Sequence, residues 1–259
     1  MHAVDAAGVH PLLLAIGSER YTPYMPAKQP AELLTIANHI LGTGQLSLAK
    51  FLFITADDTN RLSTHHIQNF FTYILERIDL ALDVHFYTNT TIDTLDYSGS
   101  SLNSGSKVVF AAYGEVIRSL CREVPQELLE LHHFENPVLV MPGIVVVKAS
   151  AFTTYEEAAI EMKQLDEQLM EHGENLKTLP ILIVADSSEF TGKNLRNFLW
   201  VTFTRCNPAN DIYGVQAFVN YKHWGCNGPL IIDARIKPHH APPVEIDNTV
   251  ERNIERLFN

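Results

Sequence analysis

Apolar residues along this chain fall into short unbroken runs separated by amphipathic stretches. Residues 12–16 form one run, closed by Pro11 and Gly17, and residues 51–55 form a second. Runs of this length bounded by turn residues predict strands buried on both faces. Between them Pro23, Pro26 and Pro30 mark a loop, and Pro30 suits the first turn of a helix. Leu33, Leu34, Ala37, Ile40 and Leu41 then recur at helical spacing up to Gly42. After the turn Asp57-Asp58, Ser63 is placed to cap a helix whose apolar face is Ile67, Phe70, Phe71, Ile74, Leu75 and Ile78. Residues 88–96 fit neither period. A Ser/Gly loop at 98–105 leads into a strand at 108–112, and residues 116–131 form a further amphipathic stretch.

The same order then returns. Strands are predicted at 144–148, 181–184 and 230–234, with helices at 154–171 and 193–205. Arg77, Ala81 and Asp83 recur as Arg205, Ala209 and Asp211 at an offset of 128, as Asn69-Phe70 does in Asn197-Phe198. Asp57 recurs as Asp186 at 129, and Gly105 as Gly228 at 123. A repeat this long is a repeated domain rather than a solenoid of small units. The expected fold is α/β: two tandem copies of one module, residues 1–135 and 136–259, each a largely parallel or mixed sheet with helices packed on it. A C-terminal amphipathic helix carries Ile246, Val250, Ile254, Leu257 and Phe258, a stripe expected to dock on a partner and make the protein a homo-oligomer.

Composition narrows the class. With 46% hydrophobic and 19% charged residues the chain is globular. A net charge of −11 argues against nucleic acid or an anionic membrane as the main partner. Cys121, Cys206 and Cys226 show no CxxC spacing and read as reduced thiols of a cytoplasmic protein. No run reaches the length of a membrane span, and no signal-peptide pattern opens the chain. The abrupt start on a strand points to a fragment of a longer protein.

Few residues carry evident chemistry. Lys107 follows the Ser/Gly loop, where exposed backbone N–H groups and a point charge could hold a phosphate. Thr90, Thr91, Asp93 and Asp96 make a polar loop, read either as a substrate-facing segment or as ordinary turn chemistry. The repeated Arg77…Asp83 and Arg205…Asp211 read as ion pairs pinning a helix end to its loop. Asp57 and Asp186 suit turns or helix caps. The adjacent pairs His65-His66, His132-His133 and His239-His240 diverge on a helix and chelate poorly, so no metal site is expected.

Trp200, Thr204-Arg205, Pro208 and Asp211 stand in the spacing Trp-x-x-x-Thr-Arg-x-x-Pro-x-x-Asp. Together with Thr90-Thr-Ile-Asp-Thr-Leu-Asp96, Gly105-Ser-Lys107 and the strand ending Asp233-Ala234, they resemble the C-terminal domain of the UbiD family of decarboxylases. The signature is split: the first copy keeps Gly105-Ser106-Lys107 but has Leu80 at the proline position, while the second keeps Pro208 but has Pro229-Leu230 in place of Ser-Lys. The resemblance implies a carboxy-lyase for aromatic or α,β-unsaturated acids, using prenylated FMN with a divalent metal and potassium. It makes Gly105, Ser106 and Lys107 the cofactor-binding candidates, and Thr90, Thr91 and Asp93 the substrate-facing loop. The family's Glu-Arg-Glu catalytic set has no counterpart here. The chain is therefore expected to need an upstream catalytic domain as its partner, and alone to bind no cofactor and catalyse nothing. The alternative is a stand-alone α/β binding or oligomerisation module.

Overall fold

The computed structural model describes residues 1–6, 9–17, 30–57, 61–171 and 175–241. The first half contains β1 (His2–Ala6), β2 (Val9–Ile16), α1 (Pro30–Leu41), β3 (Phe51–Thr55), α2 (Ile67–Leu75), β4 (Val84–Thr90) and β5 (Gly105–Ala111). The second half contains β6 (Glu135–Met141), β7 (Ile144–Lys148), α3 (Tyr155–Met170), β8 (Ile181–Ala185), α4 (Ser188–Gly192), α5 (Leu195–Arg205), α6 (Pro208–Asp211), β9 (Ile212–Gly214), β10 (Ala217–Asn220), β11 (His223–Cys226) and β12 (Leu230–Asp233).

Two five-stranded mixed sheets result, ordered β1-β2-β3-β5-β4 and β6-β7-β8-β12-β9. In each, three central strands run parallel and both edge strands pair antiparallel. Order and direction are thus the same in both sheets.

The strand period divides the side chains. On the inner face of the first sheet, Leu12, Leu14, Phe51, Phe53, Val108 and Phe110 pack on α2, while Leu13, Ala15, Leu52, Ile54, Val109 and Ala111 meet α1 on the outer face. The second sheet divides likewise, with Val145, Val147, Leu182, Val184 and Ile231 outward against α3. The inner faces of both sheets, with α2 and α5, form one continuous core. Phe203 of α5 packs edge-on to Phe51 at 4.9 Å and lies 6.3 Å from both Phe53 and Phe71. The layers run α1, sheet, α2 with α5, sheet, α3.

Several local expectations change. Ser63 does not cap α2: His66 is the N-cap residue, and Ser63 Oγ accepts from His65 N in the preceding turn. Residues 116–125 have no regular structure, and only Gln126–Leu129 makes a 3₁₀ turn. The linker binds the end of α2 instead, where Arg118 donates to Leu75 O (2.9 Å) and Ile78 O (2.5 Å) and Ile117 N donates to Glu76 O. The stretch 88–96, read as fitting neither period, begins inside strand β4, whose polar residues suit a sheet edge. The apolar stripe at 246–258 lies outside the described residues.

Candidate functional site

Polar groups are concentrated at the seam between the halves. Lys50 immediately precedes β3, so its backbone enters the sheet and its side chain is drawn inward. Its Nζ meets Asp96 at 2.9 Å, and the two side chains are 0% and 2% exposed. The same ammonium donates to Ser98 Oγ (2.5 Å) and to Cys206 O (2.9 Å) of the other half. Asp96 also accepts from Ser98 N and Oγ. A cation thus sits just beyond the carbonyl end of α5, the end that favours positive charge.

Ser106 makes a second bond across the seam. Asn207 Oδ1 accepts from Ser106 N (2.9 Å) and Ser106 Oγ (2.5 Å), and Ala209 N donates to Ser106 Oγ (2.8 Å). Gly105 is buried beside this pair, and a Cβ there would lie 2.8 Å from Ile92 Cδ1. Lys107 is 4% exposed. Its Nζ donates to Ser47 O (2.6 Å), Ala49 O (3.0 Å) and Thr91 O (2.6 Å), so all three of its donors are used. Burial pulls its pKa down to about 8, against the opposing pull of Asp96.

The loop residues do turn work. Thr90 pairs with Gly105 at the end of β4, Thr91 supplies the carbonyl to Lys107, and Asp93 Oδ1 accepts from Leu95 N. None of the three lines the clefts described below.

The expected Arg–Asp pairs do not form. Arg77 lies over the Tyr73 ring and donates to Tyr73 O and Gly114 O, and its carboxylate neighbour is Glu76 at 3.5 Å. Arg205 pairs with Asp186 at 3.0 Å. The aspartates instead close their own turns: Asp83 Oδ2 accepts from Asp79 N, and Asp211 Oδ2 from Asn207 N. Asp211 also meets Lys237 Nζ at 3.3 Å, beside the buried Arg235–Asp233 pair. Burial raises Asp211 to about 6. Asp57 Oδ2 accepts from Arg61 N and Leu62 N, a turn as expected, whereas Asp186 accepts from Arg205 and Ile236 N and caps nothing.

Sequence reasoning missed Lys50, Asn207 and Lys237. A lysine beside an apolar strand looks solvated, yet Lys50 is buried between Asp96 and Ser98 of its own half and Cys206 O of the other. Among the described residues no group of three His, Cys, Asp or Glu side chains is placed to hold a metal ion. No helix among them is long and apolar enough to cross a membrane. The open space lies elsewhere. A cleft of about 740 Å³ separates the polar face of α2 from the β6–β7 turn, with Arg61, Asn69, Tyr73 and Arg122 on its walls.

Residues 1–112 match the family model described as the 3-octaprenyl-4-hydroxybenzoate carboxy-lyase C-terminal domain, that of UbiD. The chain is 34% identical over 255 residues to a Chlamydia pneumoniae protein whose name makes it a subunit of 4-hydroxybenzoate decarboxylase, covering 98% of this chain and 39% of that protein. An uncharacterized protein of Chlamydia caviae is 32% identical, with the same two coverages. This chain therefore spans about two fifths of the length of these relatives. A solved structure of the vanillic acid decarboxylase of Sedimentibacter hydroxybenzoicus in open form aligns over 66% of this chain and 43% of that one, at 14% identity and a TM-score of 0.32. Residues 1–112 are thus similar to the C-terminal domain of the UbiD family, and the likeness to the Chlamydia proteins runs over nearly the whole chain.

Proposed function

We propose that this chain is the assembly and active-site-covering part of a UbiD-like decarboxylase acting on aromatic or α,β-unsaturated carboxylic acids. A catalytic part, equivalent to the relatives' length that this chain does not cover, would carry prenylated FMN, its divalent metal and potassium. The observation that carries the reading is the family match over residues 1–112, together with a relative named as part of a decarboxylase. The reading also takes the two halves as copies of one module, supported by their shared strand order. The second copy occupies the face of the first that a partner protomer would otherwise cover.

The residues present do not fit a flavin phosphate. Lys107 has no donor left, and Ser106 commits its hydroxyl to Asn207. In this reading Gly105 and Ser106 serve the seam, Lys107 ties together loops of the first half, and no chemical step is assigned to them. Thr90, Thr91 and Asp93 set the shape of the loop that the two buried lysines hold.

The test is reconstitution. The chain alone, mixed with prenylated FMN, is expected to give no flavin absorbance after gel filtration and no CO₂ from 4-hydroxybenzoate. With the catalytic part of a relative supplied, activity should exceed that of the catalytic part alone. Turnover by this chain alone, or a catalytic part indifferent to its addition, overturns the reading.

A further inference from the structure

The second half folds the hairpin β10–β11 between β9 and its last strand, where the first half has the loop between β4 and β5. The hairpin pairs Ala217 with Cys226 and Asn220 with His223, leaving the two-residue turn Tyr221-Lys222. Both turn residues have positive φ, 46° and 67°. Such a turn favours Asn-Gly, since left-handed backbone strains a side chain. The chain keeps a lysine there, and strain of this kind concentrates at working sites.

That lysine borders a cleft of about 470 Å³ between β11 and the first half's edge strand β4, a volume in the range of small-molecule sites. Gly225 permits the approach: a Cβ there would lie 2.5 Å from Ala81 O. Trp224 and Phe86 meet edge to face at 5.2 Å, and the rings of His223 and His85 lie 5.3 Å apart. His223 Nε2 is 3.1 Å from Ala81 O, a contact in which the ring nitrogen donates and which fixes the imidazole. Thr88 also lines the space, and among the described residues no carboxylate does. Among the described residues Lys222 has neither a hydrogen bond nor an ion pair.

We propose that this cleft binds a small aromatic carboxylate, its ring against Trp224 and Phe86 and its carboxylate on Lys222, with the two imidazoles beside it. The ligand class follows from the lining: aromatic faces for a planar ring, an unpaired ammonium for one negative charge, and no acid to repel it. The site lies apart from the seam and asks for no catalysis, so it stands or falls separately from the decarboxylase reading.

The chain holds two tryptophans, Trp200 and Trp224, so Trp200→Phe leaves Trp224 as the sole indole. In that background benzoate should change the Trp224 emission saturably at millimolar concentration, while benzamide and acetate should not. Lys222→Gly relaxes the turn, so the melting temperature should hold or rise while benzoate affinity falls about tenfold or more. Absence of a saturable response to benzoate, an equal response to benzamide, or unchanged affinity in a folded Lys222→Gly variant each overturns the proposal.

Discussion

Asn207 closes the seam on Ser106: one side-chain oxygen accepts both the backbone N–H and the hydroxyl of a residue 101 positions earlier, at 2.9 and 2.5 Å. Both residues are buried, so water cannot replace the bond. Asn207→Ala strands two donors in a dry interface, and about 2–3 kcal/mol of stability should be lost. Urea unfolding of Ser106→Ala, Asn207→Ala and the double variant closes a cycle, with an expected coupling of about 1–2 kcal/mol. Additive losses would mean that the pair is not a working link.

Lys50 and Asp96 bring the opposite problem, a charge pair with almost no solvent. Such a pair is costly to break from one side and much less costly to remove whole. Lys50→Met should leave the Asp96 carboxylate buried without its cation and cost about 3–5 kcal/mol. Lys50→Met with Asp96→Asn removes both charges, and its denaturation midpoint should return part of the way to the parent's. A double variant as unstable as the sum of its singles would refute the pairing argument.

How much could be read from the residues alone follows from what each element buries. Strands β2, β3, β5, β7, β8 and β12 are covered on both faces, so Phe51–Thr55 and Ile181–Ala185 stand out as unbroken apolar runs. Helices α1, α3 and α5 follow from their caps and spacing. Edge strands were less legible: His85, Thr88 and Asn89 of β4 face water or the other half, so the run shows no apolar block. The seam was hidden for a different reason. Its partners, Lys50 with Cys206 and Ser106 with Asn207, lie more than 100 positions apart. Pattern reasoning also placed Arg205 on Asp211, whereas folding gives Arg205 to Asp186 and Asp211 to Lys237.

The shared core bears on how the halves unfold. Phe203 belongs to the second half, yet its ring contacts Phe51 and Phe71 of the first. Phe203→Ala should cost about 3–5 kcal/mol, as truncation of a buried aromatic does. It should also destabilise both sheets together, because their inner faces, α2 and α5 form one continuous core. Calorimetry is expected to show one transition for parent and variant alike. Two resolved peaks, with only the later one shifted, would show that the halves fold separately.

Asp83 ties stability to pH. Burial raises its pKa to about 6, despite the hydrogen bond from Asp79 N and the nearby Arg118, which both pull it down. A carboxyl whose folded pKa lies above its unfolded value stabilises the fold while protonated. That contribution is complete below about pH 4 and is lost as pH rises through 6. Asp83→Asn keeps an oxygen for the Asp79 N–H and removes the titration. Raising the pH from about 4 to 7 should therefore cost the variant less stability than it costs the parent, with Asp211, shifted the same way, giving both a common slope. Urea midpoints measured at both ends of that window decide it: if the parent and Asp83→Asn change in parallel, the Asp83 carboxyl is not held in its neutral form by the fold.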